Sequence, residues 1–207
     1  MPKRNKLSAD RIVSAAMAMI DAEGEKAFSM RKLAATMNVD PMAIYHHHAN
    51  KSALIDAVMQ AMMGDFTPPE PTGDWRCDLR GLCYELLALA RRHPGTFRIY
   101  ETYESDVPNE HRMQEAFYNA LLAGGFSQRM TVQATRLLVT YTEGFAVDEF
   151  VGWLAPDDRA ELEESLSKGS FPTATGLIDV ITSSDVEEDF AFGLNVLLSG
   201  LEALREN

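Results

Sequence analysis

Along most of this chain, apolar residues recur at steps of three and four, the period of a helix with one buried face. Ile12, Ala15, Ala16, Met19 and Ile20 form one such stripe. Ser8 is a suitable N-cap before it, Asp10 lies in its first turn, and Gly24 suits a left-handed C-cap. A shorter helix follows Ser29, with Met30, Leu33, Ala34 and Met37 on its inward side. Asn38-Val39-Asp40-Pro41 interrupts it. Asn readily tolerates positive φ, Asp is an N-cap, and Pro fits the first helical position. The pattern therefore predicts a turn, then a short helix from Pro41 to about His47. Asn50 caps a fourth helix, from Lys51 to about Gly64.

Thr67-Pro68-Pro69-Glu70-Pro71-Thr72-Gly73 cannot continue that helix, because each proline lacks an N–H and clashes with the preceding turn. The expected division is a helix-turn-helix domain at 1–64 with its fourth helix as connector, a Pro-rich linker at 65–73, and a larger helical domain at 74–207. Helices are predicted at about 74–92, 94–104, 109–123, 127–154, 157–168 and 184–205. Gly124-Gly125 then Ser127 reads as a stop followed by a new N-cap, and Ser184-Asp185-Val186-Glu187 as a capping box. Segment 169–183 is less regular, with room for a short helical turn. Strand signals are weak and no Asn-Gly or Asp-Gly hairpin turn occurs. The expected fold class is all-α.

Composition changes this picture little; charge changes it more. The formal net charge of the chain is −12. Residues 1–51 hold eight Lys or Arg against five Asp or Glu, a net of +3, which leaves −15 for residues 52–207. Such asymmetry suits a small module that meets phosphate, attached to a body whose acidity keeps it off nucleic acid. No apolar run of about 18 residues predicts a membrane span, and the basic N-terminus lacks the apolar segment of a signal peptide, so a cytoplasmic location is expected. Cys77 and Cys83 stand six positions apart, on different faces of one helix and too distant for a disulfide. They are read as reduced packing residues.

Two short helices separated by a tight turn, with an apolar helix before and after, describe a helix-turn-helix. Leu33 and Ala34 would hold the first helix of the pair, Val39 and Ile44 the second, leaving Met42, Ala43, His46 and His47 outward. The bland alternative is a helical corner with a solvated basic face. Phe28-Ser29-Met30-Arg31-Lys32-Leu33-Ala34-Ala35-Thr36-Met37-Asn38-Val39-Asp40-Pro41-Met42-Ala43-Ile44-Tyr45-His46-His47-His48-Ala49-Asn50-Lys51 closely resembles the signature of the TetR family of transcription regulators. The resemblance covers residues 8–60 tightly. Trp75, Arg92-His93-Pro94 and Ala123-Gly124-Gly125-Phe126 look like the C-terminal domain of the tetracycline-repressor subgroup. Two positions depart from the family pattern: Asn38 stands where Gly is usual, and Met42-Ala43 offers few hydrogen-bonding groups.

The resemblance implies a DNA-binding set of Ser29, Arg31, Met42, Ala43, Tyr45, His46, His47 and Lys51. Arg31 could pair with a guanine edge, Met42 and Ala43 with a thymine methyl, and Tyr45, His47 and Lys51 with phosphate. His46 would reach either, and Lys3, Arg4 and Lys6 would form an arm. Three adjacent helical histidines point about 100° apart and cannot share one tetrahedral ion, so no metal and no cofactor are expected.

The resemblance also implies a homodimer, through bundled helices near 127–154 and 184–205, that binds palindromic operator DNA and is released by a small-molecule inducer. Phe190, Leu194, Leu197, Leu198, Leu201 and Leu204 make an apolar stripe on the last helix, and Gly193, Ser199, Gly200 and Ala203 permit close approach. An intramolecular core helix explains the leucines equally well. Candidate ligand-binding residues are Phe97, Tyr100, Tyr103, Met113, Phe117, Arg136, Tyr141 and Phe145, with Cys83 and Glu101 beside them. Enzymatic readings find no purchase: the chain has no Gly-rich phosphate loop, no Gly-x-Ser-x-Gly elbow and no His-Glu-x-x-His pair. A helical small-molecule carrier is the other class, and it would keep its role if residues 1–51 were deleted.

Overall fold

A computed structural model of the chain describes residues 7–100, 107–152, 159–183 and 185–205. Among these residues the fold is all-α. The first four helices are α1 (Ala9–Glu23), α2 (Met30–Met37), α3 (Pro41–Tyr45) and α4 (Lys51–Gly64). The larger part comprises α5 (Trp75–Arg92), α6 (Pro94–Tyr100), α7 (Pro108–Ala123), α8 (Gln128–Phe150), α9 (Arg159–Ser167), α10 (Pro172–Gly176), α11 (Ile178–Ile181) and α12 (Val186–Arg205).

Local chemistry sets the boundaries. Ser8, Ser29, Asp40, Asn50, Asp74 and Ser127 each accept a backbone N–H from the first turn of the helix that follows. Asn38 takes the left-handed conformation, φ 53° and ψ 49°, which turns the chain between α2 and α3. Gly124 and Gly125 have different reasons. A Cβ at Gly124 would lie 2.8 Å from the Trp75 side chain, whereas Gly125 needs its φ of +83°. Trp75 meets Phe126 edge to face at 4.9 Å, closing the junction of α5, α7 and α8.

Some boundaries differ from those predicted. The third helix ends at Tyr45, not His47, and the eighth at Phe150. The last helix begins at Val186, because the Asp185 carboxylate accepts the N–H groups of Glu187 and Glu188 and so caps it. Ser184, the expected cap, lies outside the described residues. The irregular segment 169–183 holds two short helices, α10 and α11.

One continuous apolar core runs from Ile12 in α1 to Leu201 in α12. α5 lies at its centre, packed on α7 and α8, while α4 packs on both α1 and α7. The Pro-rich segment is pinned rather than loose. Phe66 is buried, Thr67 N–H donates to Glu85 at 3.1 Å, and Thr72 donates to Asp78 through N–H and hydroxyl. Both cysteines are free; Cys77 is exposed, and burial pushes the Cys83 thiol up to about 12.

Candidate functional site

The short helix α3 shows what the helix-turn-helix presents. Ile44 is fully buried, anchoring α3 against α2, while Met42, Tyr45, His46 and His47 are exposed and Ala43 is half-buried. His48 turns inward and is buried. Ser29 and Arg31 stand exposed at the start of α2. The Ser29 oxygen accepts Lys32 N–H at 3.2 Å, so its hydroxyl proton is still available to a phosphate. Lys51 opens α4, its Nζ 3.5 Å from Glu25 and 5.6 Å from the centre of the Phe28 ring. Every predicted DNA-binding residue thus lies in or beside this one motif. Lys3, Arg4 and Lys6 lie outside the described residues.

The predicted ligand-binding residues separate into three groups. Tyr100, Met113 and Arg136 line one cavity of about 490 Å³ between α7 and α8, at the end of α6. Phe97 and Phe117 are fully buried core residues. Tyr141 and Phe145 face away from that cavity. Tyr141 stacks on Phe190 of α12 at 5.5 Å and donates its hydroxyl to the Phe190 carbonyl at 2.9 Å, and Phe145 meets the same ring at 5.0 Å. Burial pushes the Tyr141 phenol up to about 12. Gly193 is what lets the helices close here, since a Cβ there would lie 2.2 Å from the Tyr141 hydroxyl oxygen. Tyr103 and Glu101 lie outside the described residues.

The same cavity is also lined by residues that the sequence did not single out: Glu110, Gln114 and Tyr118 on α7, and Thr135, Thr140 and Glu143 on α8. Each trio falls at near-helical spacing and, alone, reads as a solvated face. Only the packing of α7 on α8 makes them walls of one space.

Comparison with known proteins places this architecture. Residues 12–58 match the model of bacterial regulatory proteins of the tetR family, and residues 67–205 match the tetracyclin repressor-like C-terminal domain. The chain belongs to the TetR family. It is a transcriptional regulator of that family, with the tetracycline-repressor-like type of C-terminal domain. It is 29% identical to the HTH-type transcriptional repressor DrrR1 of Streptomyces coeruleorubidus, over 96% of this chain and 78% of that protein. It is 25% identical to the class C tetracycline repressor protein of Escherichia coli, over 97% of this chain and 93% of that one. Among solved structures, the TetR family protein ActR of Streptomyces coelicolor, in complex with actinorhodin, superposes with a TM-score of 0.82. The identity is 29%, covering 98% of this chain and all of that one, 100%.

Within this TetR-family regulator, the contact between the first helix and the larger part is specific. Asp21 of α1 accepts Thr96 N–H at 2.8 Å, and its other oxygen lies 3.0 Å from His93 Nδ1. His93 Nε2 is 3.3 Å from Asp65, just beyond α4. A Cβ at Gly95 would lie 2.3 Å from the Ile20 carbonyl oxygen, so α6 rests directly on the α1 backbone. Burial alone would raise the Asp21 carboxyl, but hydrogen bonds from His93 and Thr96 outweigh it and hold Asp21 below its usual value. The Asp21 hydrogen bond raises His93 against its burial, with the charges of Asp21 and Asp65 adding to the effect.

Proposed function

We propose that the protein is a ligand-responsive repressor that binds palindromic operator DNA as a homodimer and is released by a small-molecule inducer. Residues 1–64 would form the reading head with α4 as connector, 65–73 the strap, and 74–207 the ligand-binding and dimerisation part. The carrying observation is α3, which buries Ile44 and turns Met42, Tyr45, His46 and His47 to solvent beside Arg31. A helix with that disposition can enter a major groove while its partner helix crosses the backbone. The mixed polar and aromatic lining of the α7–α8 cavity supports reading it as the effector site.

α6 supplies a route between the two. Tyr100 of α6 lines the cavity, and His93 and Thr96 at the start of α6 hold Asp21 of α1. A ligand that displaces Tyr100 therefore acts on α6, whose first residues rest on the reading head. Phe192, Val196 and Leu204 project from α12 into solvent, an apolar face that suits the same face of a second copy. Among the described residues no helix is long and apolar enough to cross a membrane, in keeping with a cytoplasmic DNA-binding role.

A mobility-shift assay on the DNA upstream of the protein's own gene tests the reading. It should give specific binding within about 10⁻⁸–10⁻¹¹ M that weakens steeply with salt. Absence of any shift at low salt would overturn it.

A further inference from the structure

We propose that the cleft between the reading head and the body is a second small-molecule site, which takes an amphipathic anion: a flat apolar body carrying a carboxylate or sulfonate. Lys26 and Arg98 supply the counter-charges. The site is separate from the α7–α8 cavity and does not depend on the role of that cavity.

The cleft measures about 660 Å³, within the range that holds a drug-sized molecule. Its head side is the end of α1 and the tight turn Glu25–Ala27 that follows. Its body side is α6 and Phe150, the last residue of α8.

The charge of the cleft depends on which groups are already paired. Three carboxylates line it, and each has a donor of its own. Asp21 is held by His93 and by Thr96 N–H. Glu23 pairs with Lys32, and Glu25 with Lys51 at 3.5 Å. The two cations of the wall differ. Lys26 on the turn and Arg98 on α6 are exposed, and neither has a carboxylate partner among the described residues. Arg98 Nη2 donates to a neutral acceptor, the Phe150 carbonyl, at 2.7 Å. A guanidinium has five N–H donors in a planar fork, so Arg98 keeps others for a carboxylate or sulfonate. Among the wall residues and their partners, Lys26, Lys32, Lys51 and Arg98 stand against three carboxylates, so the surroundings are net positive even with His93 neutral.

The rest of the wall selects the body of the occupant. Pro94, Ile99 and Phe150 give it an apolar side. Gly95 adds no side chain, because α6 rests there on the Ile20 carbonyl oxygen. An inorganic anion would leave this apolar side wet, whereas a ring system would remove it from water. An occupant that reaches Lys26 and Arg98 together touches the head and α6 at once. It therefore ties the two along the seam that Asp21, His93 and Thr96 already form.

Anilinonaphthalene sulfonate and the neutral N-phenylnaphthylamine test this on the full-length protein by fluorescence titration. They share a ring skeleton, and only the first carries an anion. The sulfonate should bind about tenfold tighter, the scale of one charged hydrogen bond. Lys26→Gln and Arg98→Gln change exposed side chains and should keep the helical fold. Each should weaken the sulfonate several-fold, and the double variant about tenfold or more, with the neutral compound unchanged. Arg136→Gln, which removes the cation of the α7–α8 cavity, should change neither affinity. Sulfonate binding that survives the loss of both Lys26 and Arg98, or that is lost in Arg136→Gln, would overturn the proposal. So would equal affinity for the two compounds, or a failure of the sulfonate to bind.

Discussion

The reading head and the larger helical body both leave large apolar side chains in water, in different arrangements. In the head these are Met42, 61% exposed, and Tyr45, one turn of α3 that also carries His46 and His47. In the body the most exposed is Phe192 at 72%, and Val196 and Leu204 continue its face of α12 past Ser199, Gly200 and Ala203. The head's face is small and mixed, and the same motif carries exposed Arg31 on α2 and Lys51 at the start of α4. It fits a groove edged by phosphates and thymine methyls. The body's face is a longer apolar stripe interleaved with small residues, which fits another helix at close range. On the proposed reading, exposure of the same residue class serves two different partners, and the neighbours of each residue tell them apart.

The largest expected effect separates both faces from the core. Phe117 is fully buried, so Phe117→Ala should lower stability in urea by about 3–5 kcal/mol through lost burial and a cavity. Phe192→Ala should leave the helical fold in place and instead weaken dimer association. Equal loss of fold in the two variants would erase the distinction. Next comes the α12 face itself. Phe192→Asp combined with Leu204→Asp should yield a helical monomer in sedimentation experiments, with DNA affinity reduced about hundredfold or more, because one head makes few base contacts. A dimer that survives both charges would assign the stripe to something else.

On the head, Arg31→Ala should cost about 1–3 kcal/mol of DNA binding and relax preference at one base pair. Lys51→Ala should weaken all sequences alike and reduce the salt slope by about one. Selection of preferred sequences with each variant checks this division.

The smallest effect concerns the seam between head and body. His93 is raised above its ordinary 6.5, so its pairing with Asp21 and Asp65 stabilises fully below that value and is lost as pH rises through the raised one. Asp21 is held below its ordinary 3.8, so its share persists above that value and is lost as pH falls through the lowered one. The seam is therefore tightest between about pH 4 and 6.5. Thermal unfolding of the protein and of His93→Gln should differ most in that window, by under about 1 kcal/mol, and converge as pH rises. A gap that widens with pH would contradict the assignment.

Elements with local causes were legible in the chain. Ser8, Ser29, Asp40 and Asn50 cap helices because a side-chain oxygen reaches an N–H two or three residues away, and Asn38 turns the chain with its own backbone. The cavity was not legible in this way. Glu110, Gln114 and Tyr118 resemble a solvated stripe until α8 packs opposite them. Tyr141 and Phe145 carry the aromatic character of a pocket, yet their positions on α8 turn them toward Phe190. The partners of Asp21 are 72 and 75 residues distant, so no local pattern announces the seam.

The claim that two α3 helices read DNA from one dimer is tested most directly by selecting binding sites from random duplex DNA with the intact protein. The account predicts an inverted repeat, its half-sites centred about one helical turn apart or a multiple of it. Enrichment of a single unrepeated site, or of no sequence at all, would contradict it.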